Sequence, residues 1–70
     1  MMKYRYYSTQ RPVAPGTFPN ENVDEIKNFD DRTAIPEINR SAWGYIDYKQ
    51  PLTDKTASSY ELVFGGEISE

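Results

Sequence analysis

The sequence predicts a small α+β domain: a mainly antiparallel three- to four-stranded sheet packed against one short C-terminal helix. Three features carry that reading. The chain opens on Tyr4-Arg5-Tyr6-Tyr7, residue types that favour strands and alternate between sheet faces. A second aromatic run, Trp43 to Tyr48, has the same character. Beyond it, Leu52-Thr53-Asp54 forms a helix-start signal.

The elements follow in order. Lys3–Ser8 is the first strand, with Tyr4 and Tyr6 on the core face and Arg5 and Tyr7 on the wet one. Gln10–Asn22 is a loop, since Pro12, Pro15 and Pro19 each remove a backbone donor and fix φ. Pro15-Gly16 marks a turn within it, and Val13 and Phe18 are the apolar residues that pin the loop over the sheet. In Asn22–Asp30, Val23, Ile26 and Phe29 fit either a short helical face or a bulged strand, and the strand is favoured. Asp31–Ser41 reads as irregular, with Pro36 holding Ile35 off helical angles and Ile35 and Ile38 anchoring the stretch.

Ala42–Lys49 is the clearest strand. Trp43, Tyr45 and Asp47 alternate with Ala42, Gly44, Ile46 and Tyr48, so both faces carry aromatics and a central position is expected. Gly44 marks a bulge or a close approach by another segment. Thr53 caps a helix over about 54–60, Asp54 suits its dipole, and Leu52 with Ala57 has the spacing of a hydrophobic staple. Leu62-Val63-Phe64 makes a short last strand, Gly65-Gly66 ends it, and 67–70 is an acidic frayed tail. One domain over residues 1–66 results, with Tyr4, Tyr6, Phe29, Ile38, Trp43, Ile46, Ala57 and Leu62 as its core.

Seventy residues build a marginal core, burying roughly 60 % of the unfolded chain's surface. The usual reinforcements are missing, because the chain has neither Cys for disulfides nor Cys or His for zinc. Six Tyr, three Phe and one Trp must supply the packing, each burying on the order of 150–250 Å². No run approaches the roughly 20 apolar residues of a membrane span, and no apolar segment follows the first charges as in a signal peptide. A cytoplasmic location and no membrane contact are therefore expected.

Absence of imidazole and thiol also removes the commonest acid–base group and the best nucleophile, so no enzyme activity, catalytic residue or cofactor is expected. Asp30-Asp31 with Asp24 or Glu25 offers oxygen ligands for a hard cation, but without an EF-hand spacing and beside Arg32 it reads as a solvated turn, and no metal is assigned. Charge is split along the chain. Residues 1–15 hold Lys3, Arg5 and Arg11 and no acid, whereas the remainder holds five bases and eleven acids. That split either steers a partner or is neutralised within the fold, and neutralisation is the expectation.

The segments Tyr4-Arg5-Tyr6-Tyr7-Ser8-Thr9-Gln10-Arg11-Pro12, Pro15-Gly16-Thr17-Phe18-Pro19, Asn28-Phe29-Asp30, Ala42-Trp43-Gly44-Tyr45, Pro51-Leu52-Thr53 and Tyr60-Glu61-Leu62 form a pattern. It resembles a group of short, functionally unassigned proteins of phages and conjugative elements of Gram-positive bacteria, also found as segments of large antirestriction-related proteins. The resemblance covers most of the chain. It implies a mobile-element, defence-related setting and transfers no site residues. One departure is Thr56, which stands where an acid would complete a capping box and loosens that helix end.

The function that fits is a non-catalytic protein-binding accessory module. Tyr4, Arg5, Tyr7, Arg11 and Phe18 are its candidate contact residues, since aromatic and arginine side chains anchor interfaces. Another protein is the expected partner, and a homodimer through a sheet edge is a further possibility for so small a domain. The alternative is single-stranded nucleic-acid binding through the Tyr/Arg-rich opening strand, with bases stacked on aromatics and phosphates on cations. The acidic remainder opposes that alternative, yet −3 is too weak a charge for a protein that imitates DNA.

Overall fold

A computed structural model describes residues 2–14 and 16–69. Its elements are strand β1 (Met2–Ser8), strand β2 (Val23–Ile35), a 3-10 turn (Pro36–Ile38), strand β3 (Arg40–Tyr48), helix α1 (Asp54–Ser59) and strand β4 (Leu62–Ser69). The strands form one sheet in the order β2-β3-β1-β4, and every neighbouring pair is antiparallel. β2 and β3 are a hairpin. β3 and β4 lie on either side of β1, and the chain passes between them through α1. The α+β class, the antiparallel sheet and the short helix near the C-terminus are as the sequence predicts.

Sheet order explains why both faces of β1 and β3 carry aromatics. On one face Tyr6, Ile46 and Tyr48 pack with Leu62, Ala57 of α1, and Val13 and Phe18 of the loop. On the other, Tyr7 packs with Ile35 and Ala42, supported by Phe29, Ile38 and Tyr45. Tyr7 is therefore core and not the wet-face residue expected beside Arg5, because the 3-10 turn and the end of β2 fold over it; its hydroxyl donates to Glu37 Oε2 at 3.1 Å. Of the other expected core residues, Tyr4, Phe29 and Ile38 are partly buried against the two clusters, and Trp43 joins neither.

The proline loop is pinned where expected. Val13 and Phe18 are buried, and Asn28 on β2 binds the Val13 backbone twice, accepting from its N–H at 2.7 Å and donating to its carbonyl at 2.8 Å. The Tyr48 hydroxyl donates to Pro19 O at 2.7 Å. In the expected turn, Pro15 lies outside the described residues, and Gly16 takes φ +87°. Gly44 is a close approach: a Cβ there would overlap Lys27 O of β2.

Two further expectations are corrected. The stretch expected to be irregular over 31–41 is instead the end of β2, a tight turn and the start of β3. Asn28 pairs with Gly44 and Thr33 with Ala42, so a wide bulge takes up the Phe29–Arg32 segment before pairing resumes at Thr33 and runs to Ile35–Arg40. Asp31 and its neighbours bond among themselves in that bulge, and the reversal occurs at Pro36 and at Asn39, whose φ of 55° is left-handed. Likewise, Gly65-Gly66 does not end β4. The strand continues to Ser69, with Glu67, Ile68 and Ser69 opposite Tyr4, Lys3 and Met2. The first residues of the chain thus supply the strand partner for 67–69, and Glu70, the last residue of the expected tail, lies outside the described residues.

α1 begins as the sequence requires. The Thr53 hydroxyl accepts from Thr56 N–H at 3.1 Å, and Leu52 and Ala57 both pack on the first cluster. Reciprocal contacts between the Tyr6 hydroxyl and the Leu52 backbone, N–H at 2.9 Å and carbonyl at 3.2 Å, fix the segment leading into it.

Candidate functional site: the open face beside Phe64

α1 is six residues long and cannot cover the whole face on which it lies. Beyond it, β1 and β4 leave a concavity of about 750 Å³ floored by Tyr4, Tyr6, Leu62 and Phe64 and flanked by Leu52 and Ala57. Pairing dictates this floor: Tyr6 stands opposite Phe64 and Tyr4 opposite Glu67, so all four side chains share one face. The Phe64 ring lies 5.1 Å from that of Tyr6 but is 50 % exposed. Asp54, Glu61 and Glu67 line the rim, with Arg40 as the basic residue among the lining side chains.

The five contact residues read from the sequence are not brought together. Tyr4 reaches the concavity. Arg5 and Tyr7 belong to the opposite face, where Arg5 holds Asp47 with two bonds of 2.8 and 2.9 Å and stacks 3.8 Å from the Tyr45 ring centroid. Asp47 keeps the Arg5 guanidinium firmly charged, raising its pKa against the effect of burial. Arg11 pairs with Glu61 at 2.6 Å. Tyr7 and Phe18, at 4 % and 6 % exposure, have no surface left for a partner. Burial, and then the bond to Glu37, raise the Tyr7 phenol.

The charge split resolves into pairs. Lys3 binds Asp24 at 2.8 Å, Arg5 binds Asp47 and Arg11 binds Glu61, so each cation of the opening segment meets an acid from the remainder. Lys3 in turn lowers the Asp24 pKa. Asp24 is thus committed to a lysine, and among the described residues no three carboxylates gather as a metal ligand set.

Phe64 and Glu67 are the site residues that the sequence reading missed. The alternation of Leu62 with Phe64 was the available signal, but Gly65-Gly66 looked like an end. In the structure Gly65 is the extra residue of a bulge, where a Cβ would overlap the Tyr7 ring, and Gly66 takes φ +126°.

The family described as Defence against restriction A C-terminal matches residues 1–66. The chain belongs to this family. The match takes in β1 through most of β4, and so includes the Tyr6–Phe64 floor of the open face as well as the helix beside it. No curated protein and no solved structure matches the chain. The family's antirestriction connection agrees with the resemblance carried by the Tyr-rich opening.

Proposed function

We propose that this chain is a non-catalytic protein-binding accessory module serving defence against restriction, encoded by a mobile element and acting in the cytoplasm, with the face beside Phe64 as its contact surface. The observation that carries the reading is Phe64 itself, half exposed on a concave apolar floor. Large aromatics in partly enclosed apolar pockets are the side chains that dominate binding energies. The engagement of Lys3, Arg5 and Arg11 by carboxylates supports a protein partner over a nucleic acid, since phosphate contacts would have to displace Asp24, Asp47 and Glu61.

The test is affinity capture from host lysate with the intact chain and with Phe64→Ser, the variant's fold being checked by circular dichroism. A protein recovered by the intact chain and lost with Phe64→Ser supports the reading. Recovery of nucleic acid alone, or of the same proteins with both chains, overturns it. A parallel assay plates unmodified phage on restricting and non-restricting hosts expressing either chain. Protection is expected to depend on Phe64, and equal plating with both chains counts against the defence role of this face.

A further inference from the structure

We infer that the β4 edge, together with the concavity beside Phe64, takes an extended peptide segment, added to the sheet as a further strand, whose side chains on the face toward the concavity, every second residue, are by turns basic and apolar. The inference rests on the proposed protein-binding role and specifies the partner's chemistry. The sheet has two edges, β2 and β4, and they differ in kind. β2 carries six charged side chains in thirteen residues and is broken by a wide bulge, the devices by which edges refuse a new strand. β4 carries Glu67 alone in eight residues, takes up a single extra residue, Gly65, in its own bulge where β2 takes up four, and has apolar side chains at Leu62, Val63, Phe64 and Ile68. Strand addition draws affinity from backbone hydrogen bonds and selectivity from pockets that receive alternate side chains. Phe64 on the exposed floor provides the apolar pocket next to such an edge.

Charge selects among occupants. Asp54 and Glu67 are exposed at the rim, and Glu61 already holds Arg11, so the concavity presents an acidic border to the solvent with Arg40 as its basic lining residue. A second copy of the chain added through β4 would set this acidic border against itself, and like charges across paired strands are unfavourable. An acidic or phosphate-bearing ligand meets the same repulsion. A segment placing lysine or arginine against Glu67 and Asp54 and an aliphatic side chain on Phe64 satisfies both features.

The probe is a short peptide repeating lysine-threonine-valine-threonine, which sets lysine and valine by turns on one face of an added strand, titrated into the isotope-labelled chain and followed by amide NMR. A counterpart with glutamate in place of each lysine and a version interrupted by proline serve as controls. The expected result is shifts and slowed exchange confined to Leu62–Ser69 and the α1 border, weakening with salt. Affinity is expected to fall about tenfold in Phe64→Ser, a loss typical of an aromatic anchor. The exposed charge reversal Glu67→Lys, which leaves packing intact, should weaken binding by a similar factor, whereas Lys27→Glu on β2 should not. Equal binding of the glutamate-substituted peptide, shifts on β2, indifference to both β4 variants, or concentration-dependent β4 shifts without peptide would each overturn the inference. If the peptide fails while Phe64→Ser still abolishes capture of a partner, the peptide chemistry is wrong and the protein-binding reading stands. If Phe64→Ser leaves capture unchanged, that reading itself falls.

Discussion

Arg5 and Asp47 face each other across the β1–β3 pair, and the guanidinium grips both carboxylate oxygens, Nε to Oδ1 at 2.8 Å and its terminal nitrogen to Oδ2 at 2.9 Å. The two partners are unequally buried: Asp47 is fully enclosed, while the Arg5 side chain keeps 23 % of its surface in water. That asymmetry decides what each mutation does. Arg5→Ala strands a buried carboxylate and is expected to cost about 3–5 kcal/mol. Asp47→Ala leaves an arginine that can still reach water and should cost clearly less. A chain of this length has a total stability of roughly 4–10 kcal/mol, so Arg5→Ala should populate the unfolded state visibly. Urea denaturation of the two variants checks the order; equal midpoints would contradict it.

Gly65 tests the bulge. A Cβ there would occupy the space of the Tyr7 ring, which is itself held by Glu37 and packed on Ile35 and Ala42. Gly65→Ala should therefore destabilise by about 1–3 kcal/mol, the usual cost of overpacking. Combining it with Tyr7→Leu should recover part of that loss, because the clash is with the ring. Thermal melts of the single and double variants measure the coupling, and simple additivity would show that Tyr7 is not the obstacle.

Tyr48 links the fold to alkaline pH. It is fully buried, and burial, followed by the nearby phenols Tyr60 and Tyr6, pushes its pKa up from the ordinary value of about 10. Above that ordinary value the unfolded chain loses this proton and the folded chain keeps it. The unfolded state then binds fewer protons, so stability falls as pH rises. The contribution is intact below about pH 10 and decays above it by at most about 1.4 kcal/mol per pH unit for this group. Tyr7, raised by burial, adds in the same direction. Tyr48→Phe should cost about 1 kcal/mol at neutral pH through loss of the bond to Pro19 O, and should flatten the alkaline limb. An unchanged slope in a pH series of melts would refute the assignment.

What could be read from the residues was local. Thr53 and Leu52 announce α1 through capping and staple spacing, and Gly44 announces a bulge or a close approach, of which the structure shows the close approach. The fate of Tyr7 was not readable, since alternation gives faces but not whether a second layer covers them. Here that layer comes from Ile35 and Glu37, reached through a turn whose position depended on pairing Thr33 with Ala42. The same limit hid Phe64 and Glu67. Gly65-Gly66 is a strong local stop, overridden by a strand partner some sixty residues away in sequence, Met2–Arg5. Candidate contacts chosen by residue type, Arg5 and Arg11 among them, became intramolecular ion pairs for the same reason: the acids that bind them lie elsewhere in the chain.

Asn28 is the remaining test, because it ties the proline loop to β2 with both ends of one amide. Asn28→Ala removes both bonds to Val13 and should cost about 1–2 kcal/mol, near 1 kcal/mol for each hydrogen bond. Asn28→Asp retains the acceptor for the Val13 N–H but has no donor for the Val13 carbonyl, so it should fall between the two. The effect should also be local. Val13 and Phe18 would remain attracted to the core, but the amide of Val13 loses its acceptor in the alanine variant and should exchange with solvent faster than those of β1 and β3. Hydrogen exchange resolved by residue checks this. Uniform acceleration across the sheet would mean that the loop and the sheet open as one unit, and that the amide of Asn28 is not what holds them together.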